Sequence, residues 1–261
     1  MIRLAANLST LFTELPFLER FDAAAKAGFT AVECQFPYEA TADAVAAAVA
    51  RAGVQWVLFN APFGNAGERG IASLPGREAQ FDAGIELAAR YVAAGNCRRV
   101  HVMAGLLPPG ADRARHLATY VAAIARAADR LAPLGAAVLI EPINTRVDVP
   151  GYLLDGTALA LECMARAGRA NIRLQYDVYH MQIMEGDLLR SIERLLPAIG
   201  HIQIADNPGR HEPGTGEIAF ERLLPGIAAL GYEGYVGCEY LPAAGTVPGL
   251  GWARQWLHAR A

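Results

Sequence analysis

Eight short runs of β-strand character alternate with longer stretches of helical periodicity, and this alternation constrains the chain more than any other feature. The runs are RLAANLS from Arg3, AVECQF from Ala31, QWVLFNA from Gln55, RVHVMAG from Arg99, AVLIEPIN from Ala137, IRLQYDVY from Ile172, HIQIAD from His201 and YVGCEY from Tyr235. Between them, PFLERFDAAAKAG opens at Pro16 and closes at Gly28, and TADAVAAAVARAG opens at Thr41 and closes at Gly53. Proline suits a first helical turn, threonine an N-cap and glycine a C-terminal stop. An Ala-rich run spans Arg113 to Gly135, and two further amphipathic runs contain Pro197 and Pro225, expected to kink or end them.

Strand–helix alternation of this kind implies a parallel sheet. Eight units in 261 residues, with no linker or break in composition, fit a closed (β/α)8 TIM barrel in which residues 1–261 form one domain. A doubly wound open sheet is the alternative, but no GxGxxG follows the first run. The longest irregular stretch, FGNAGERGIASLPG from Phe63 to Gly76, follows the third run. In a barrel it lies over the C-terminal ends of the strands, where active sites form.

Composition narrows the function classes. The net charge of −3 lacks the basic surplus of a nucleic-acid binder. Four cysteines, Cys34, Cys97, Cys163 and Cys238, form no CxxC pair and read as reduced thiols of a cytoplasmic protein. The opening MIRLAANLSTLF has one basic residue and no long apolar run, so it reads as a first strand rather than a signal peptide. No segment has the uninterrupted apolar length of a membrane span.

Inward-facing positions alternate along a barrel strand. That places Glu141, Asp177, Gln203 and Glu239 late in four consecutive runs, all on the inner face, converging on one mouth. Three carboxylates gathered there repel one another in a low dielectric. A divalent cation relieves the repulsion, and hard oxygen donors suit Mg²⁺, Mn²⁺ or Co²⁺. Each acid taken alone also reads as a helix cap or half of a salt bridge, so the pattern leaves both readings open. His180 reads as a capping or packing histidine, or as a substrate contact over the mouth. Arg210, in DNPGRHEPGTGE, reads as a solvated loop residue or as a clamp for a substrate carboxylate, and Glu68 and Arg69 in GERG carry the same pair of readings. His201 reads as structural, at the far end of its strand. Cys238 faces outward as core filler.

The strings AANLS, AGERGIASLPGRE, IEPIN, QYDVYHMQ, HIQIADNPGRHEPGTGEI and VGCEY, in order along nearly the whole chain, resemble the hydroxypyruvate isomerase family of xylose-isomerase-like TIM barrels. FTELPFLERF and VHVMAG resemble its 2-oxo-tetronate isomerase branch. The resemblance implies a divalent metal held by Glu141, Asp177, Gln203 and Glu239, with Glu141 and Glu239 as the acid–base pair. It places His180 and Arg210 on substrate oxygens. The implied reaction moves a carbonyl one carbon along, converting hydroxypyruvate to 2-hydroxy-3-oxopropanoate (tartronate semialdehyde) through an enediol. A 2-oxo-tetronate isomerase or a ketose 3-epimerase is the alternative on the same barrel. From other classes, a non-catalytic sugar-acid-binding or regulatory barrel is a third option, and a tri-zinc apurinic-site endonuclease needs more strand-end histidines than His101, His116, His180, His201, His211 and His258 supply. The expected partner is a small 2-oxo acid or ketose, with no nucleic acid or membrane. The Ala-rich outer helices are compatible with a homo-oligomer.

Overall fold

The computed structural model describes residues 1–257, so His258 lies outside the described residues. All eight expected strands form: β1 (Arg3–Asn7), β2 (Ala31–Glu33), β3 (Gln55–Asn60), β4 (Arg99–His101), β5 (Ala137–Ile140), β6 (Ile172–Asp177), β7 (Ile199–Ile204) and β8 (Tyr235–Cys238). They pair in parallel in chain order, and β1 pairs with β8 to close the barrel. Closure leaves no sheet edge exposed.

The helices are α1 (Arg20–Lys26), α2 (Ala42–Ala52), α3 (Glu78–Gly95), α4 (Arg113–Leu131), α5 (Thr157–Ala167), α6 (Val178–Met184), α7 (Leu188–Leu195) and α8 (Phe220–Ala229). Local chemistry sets their ends. Thr41 caps α2 through its side chain, and Gly53 stops it in the left-handed region. Pro16 precedes a short 3-10 turn, Phe17–Glu19, and α1 begins after it at Arg20. α7 ends two residues before Pro197, as expected. Pro225 does not end α8, which continues to Ala229. Its position is exposed, so the carbonyl that loses its donor faces solvent rather than a dry core. No described helix is long and apolar enough to cross a membrane.

The core has two parts. A large apolar shell fills the space between helices and strands, anchored by Trp56, Tyr120, Phe21 and Phe59. All four cysteines are buried and unbridged, which excludes a disulfide among them. Inside the barrel, Ala5, Ala31 and Val57 form a thin apolar layer with Tyr235 packed against it. Above that layer the interior turns polar: Asn7, Glu33, Gln175, His201 and Gln203 are all buried. Gly237 on β8 makes room for this layer, since a Cβ there would stand 2.3 Å from the Glu33 carboxylate. The strand ends therefore open onto a polar floor.

Candidate active site

The strand ends surround a cavity of about 380 Å³ lined by Glu141, Glu239, His180, Gln175 and Arg210, and by Glu68 and Arg69 from the Phe63–Gly76 loop. A larger hollow, about 660 Å³, lies at the opposite end of the barrel and includes Arg99 and Arg173, which hydrogen-bond backbone carbonyls. The chemistry-bearing groups are in the smaller one.

Asp177 ends β6 and caps α6. Its Oδ1 accepts from the backbone amides of Tyr179 (2.7 Å) and His180 (3.3 Å). Its Oδ2 is fully buried and has no hydrogen-bond partner. A bare carboxylate oxygen in a dry site is costly unless a charge faces it. Glu141, Asp177 and His180 each place one ligand-type atom within 4.8 Å of the others, a spacing suited to a single metal ion. The donor set fits a divalent cation: two carboxylates whose mutual repulsion it would relieve, one of them with an orphaned oxygen.

His180 is oriented from behind. Asn144 Oδ1 accepts from the amides of Val147 and Asp148, which turns its NH₂ toward His180 Nδ1 at 2.7 Å. The ring therefore carries its proton on Nε2. That atom lies 3.9 Å from Glu141 Oε1 and 3.8 Å from Asp177 Oδ2. Burial, reinforced by the Arg210 charge, holds the His180 pKa well below the usual range, so it is a neutral donor.

Glu239 follows β8 and is the most heavily bonded acid of the site. Arg210 Nη2 (2.7 Å) and Gln35 Nε2 (3.1 Å) donate to its Oε1. Gln203 Nε2 (2.6 Å) and Asn7 Nδ2 (3.1 Å) donate to its Oε2. Burial nevertheless pushes its pKa up to about 7, with Arg210 opposing and Asp177 and Glu33 adding to the rise. Glu141 rises well above the carboxylate range through burial, then through the Asp177 and Glu239 charges. Asp177 rises for the first of these reasons, with Arg210 opposing.

Gln203 lies opposite Asp177 in the β6–β7 register. Its amide nitrogen faces Glu33 (2.8 Å) and Glu239, and its oxygen accepts from Gln175 at 2.5 Å. Of the four expected ligands, Glu141 and Asp177 thus meet directly, while Gln203 and Glu239 join them through this amide network. Arg210 sits in the left-handed region at φ 56° and bridges Glu239 and Asp148 (3.2 Å). Buried Asp206 organises its loop by accepting from four backbone amides, those of Asn207, Gly214, Gly216 and Ile218. Glu68 turns away from the strand ends into a two-pronged pair with Arg77 (2.9 and 3.1 Å), which lowers its pKa. Arg69 is exposed at the rim.

His201 differs from the expectation of a residue at the far end of its strand. It sits within β7, buried, with Nε2 2.6 Å from Glu33 Oε2. Glu33 is a central group the sequence reading missed. The signal was present: AVECQF places a lone acid late on the second strand, by the same alternation that singled out the other four. His101 was missed as well. It is buried at the cavity, neither ring nitrogen has a partner, and Nδ1 lies 3.5 Å from Glu141 Oε2. Burial, helped by His180, pulls its pKa down to about 3, so the ring is neutral.

The description of a xylose isomerase-like TIM barrel matches residues 21–256. A 2-oxo-tetronate isomerase of Cupriavidus necator is 50% identical, over 98% of this chain and 99% of its own length. The chain belongs to the hydroxypyruvate isomerase family of xylose isomerase-like barrels. Within that family, the hydroxypyruvate isomerase of Escherichia coli is 44% identical over 97% of this chain and 98% of its own. A crystal structure of a Brucella melitensis protein described as AP endonuclease, family 2, superposes with a TM-score of 0.96 at 45% identity, covering 99% of this chain and 100% of that one. Both of these isomerases match this chain over nearly the whole barrel.

Proposed function

We propose that this chain, folded as one barrel unit, is a cytoplasmic, metal-dependent isomerase that interconverts hydroxypyruvate and 2-hydroxy-3-oxopropanoate. The observation that carries the reading is the buried, unpartnered Asp177 Oδ2 facing Glu141 and His180 at the strand ends. Glu141, Asp177, Gln203 and Glu239 would hold Mg²⁺ or Mn²⁺, with Gln203 offering its amide oxygen. Co²⁺ suits the same donors. When bound, the cation supplies the positive charge that stabilises the enediolate's developing oxyanion.

The side chains do the rest. Glu141 and Glu239 line one cavity and exchange protons with neighbouring carbons of the substrate. Burial raises both pKa values, that of Glu239 to about 7, and a group titrating near neutrality both takes and returns a proton readily. His180 donates Nε2–H to a substrate oxygen without bringing charge. Arg210 holds Glu239 in place and contacts substrate oxygens beside it, while Glu68 and Arg69 stand at the rim. The walls leave room for a molecule of a few carbons.

A second reading rests on the higher identity to the Cupriavidus necator enzyme, 50% against 44%: the preferred substrate is a 2-oxo-tetronate. Endonuclease chemistry, the name borne by the Brucella melitensis relative, finds less support, because the metal-type cluster here offers two carboxylates and one histidine. The test is a panel of hydroxypyruvate, 2-oxo-tetronates and free ketoses with Mg²⁺, Mn²⁺ or EDTA, followed by NMR. Interconversion of a 2-oxo acid that stops with EDTA is expected. Substrate binding without turnover under any metal would leave a non-catalytic binding barrel.

A further inference from the structure

Two arginines line the cavity, and they are in opposite states. Arg210 is claimed: its guanidinium touches Glu239 and Asp148, and Asp177 Oδ2 is 4.0 Å away. A substrate carboxylate directed at it would meet Glu239 already 2.7 Å from the same nitrogen. Arg69 has no ion pair or hydrogen bond among the described residues. Its neighbour Glu68 does not neutralise it, because that carboxylate is bound by both arms of Arg77.

Arg69 is also carried on a fixed backbone. Gly70, at φ +105°, lies so close to the end of β4 that a Cβ would stand 2.5 Å from the Met103 carbonyl oxygen. Gly70 N donates to Phe63 O, which ties together the two ends of the FGNAGERG segment that carries Arg69. An arginine on an unpinned loop is ordinarily just solvated; one set beside a pinned glycine, at the rim of an acid-rich cavity, keeps its charge in place.

We propose that Arg69 is the carboxylate anchor of this enzyme and selects substrates bearing a carboxylate beside the carbonyl over neutral ketoses. The proposal rests on the isomerase reading and names its substrate class. A planar guanidinium matches a carboxylate with two parallel hydrogen bonds, and none of Arg69's donors has to leave another acid first. The anchor would hold the acid end at the rim while the carbonyl and hydroxyl carbons reach Glu141 and Glu239. A neutral ketose presents a hydroxymethyl group there and leaves the charge unmatched.

The experiment compares wild type, Arg69→Ala and Arg69→Lys in two measurements. Calorimetric titration of the Mg²⁺-loaded protein uses D-glycerate, which keeps the carboxylate but cannot isomerise, against glycerol. Kinetics use hydroxypyruvate against erythrulose. The expected result is D-glycerate binding weakened by about 10- to 100-fold in Arg69→Ala, the range for losing a charge-assisted pair. KM for hydroxypyruvate rises by a similar factor with kcat little changed, Arg69→Lys falls between, and ligands without a carboxylate are unaffected. Wild-type affinity for D-glycerate in Arg69→Ala would overturn the proposal, as would an equal loss for erythrulose, which would mark a general disturbance of the loop. If wild type isomerises neither compound, the hydroxypyruvate reading fails, and the D-glycerate titration still decides whether Arg69 binds a carboxylate.

Discussion

Asp177 treats its two oxygens differently, and that difference explains how one residue serves fold and site together. Oδ1 caps α6, the ordinary use of an aspartate at a strand–helix junction. Oδ2 is left without a partner toward Glu141 and His180. Glu141 and Glu239 differ from it in capping no helix: both line the cavity, and burial raises their pKa values there. Replacing either with Gln keeps the shape and removes the titrating oxygen. For Glu141→Gln and Glu239→Gln, turnover should fall by about 10²- to 10⁴-fold, the usual contribution of a positioned acid or base. Glu141→Gln should melt close to wild type, because Gln relieves a buried charge, whereas Glu239→Gln should melt lower, because its NH₂ must face donors that the carboxylate satisfies. Retained hydrogen–deuterium exchange at the substrate carbon in both variants would dismiss the pair as proton carriers.

At the scale of elements, the strand–loop junctions decide what the cavity sees. Gly70→Ala puts a methyl group on the Met103 carbonyl and a side chain on a left-handed backbone, at a cost of about 1–3 kcal/mol. The expected outcome is a lower melting temperature together with a raised KM, since the loop must move off β4. An unchanged KM would mean that the loop does not position the substrate. The order of the strands was legible in the sequence because each begins a repeat whose period switches from two to that of a helix. So were Glu141, Asp177, Gln203 and Glu239, since alternation fixes which face each one shares. What alternation does not specify is which atom of a side chain points where. Nothing in HIQIAD says that Gln203 turns its nitrogen to Glu239 and its oxygen to Gln175, or that His201 pairs with Glu33 across the barrel. The first two contacts join neighbouring strands, but the His201–Glu33 pair links β7 to β2, which only barrel closure brings together. The persistence of α8 beyond Pro225 was likewise invisible, because it depends on that turn facing solvent.

For the whole molecule, the strand ends gather buried acids whose folded-state pKa values lie above their unfolded ones. Such groups stabilise the folded state fully below the unfolded pKa, and the contribution is lost as pH rises through the folded pKa. For Glu239 that window runs from the ordinary 4.5 to about 7, and Glu141, also raised by burial, acts in the same direction. The metal-free protein should therefore lose stability as pH climbs across this range, by roughly 3 kcal/mol from Glu239 at about 1.4 kcal/mol per pKa unit. Melts in EDTA from pH 5 to 8 should show the decline, and Mg²⁺ or Mn²⁺ should flatten it. A metal-free protein equally stable at both ends would refute the idea that these acids are held together under charge strain.

The four thiols lie away from this chemistry, in the shell between strands and helices. Burial pushes Cys97 up to about 12 and Cys163 up to about 11, and it holds Cys34 and Cys238 well above the usual thiol range. None is poised as a thiolate, and none lines the catalytic cavity. An alkylating reagent added to the native enzyme thus reaches sulfur only when the barrel opens. Nature has left this protein with four internal clocks, and the rate at which iodoacetamide mass accumulates on it reads out how often the barrel breathes, without touching the reaction at its mouth.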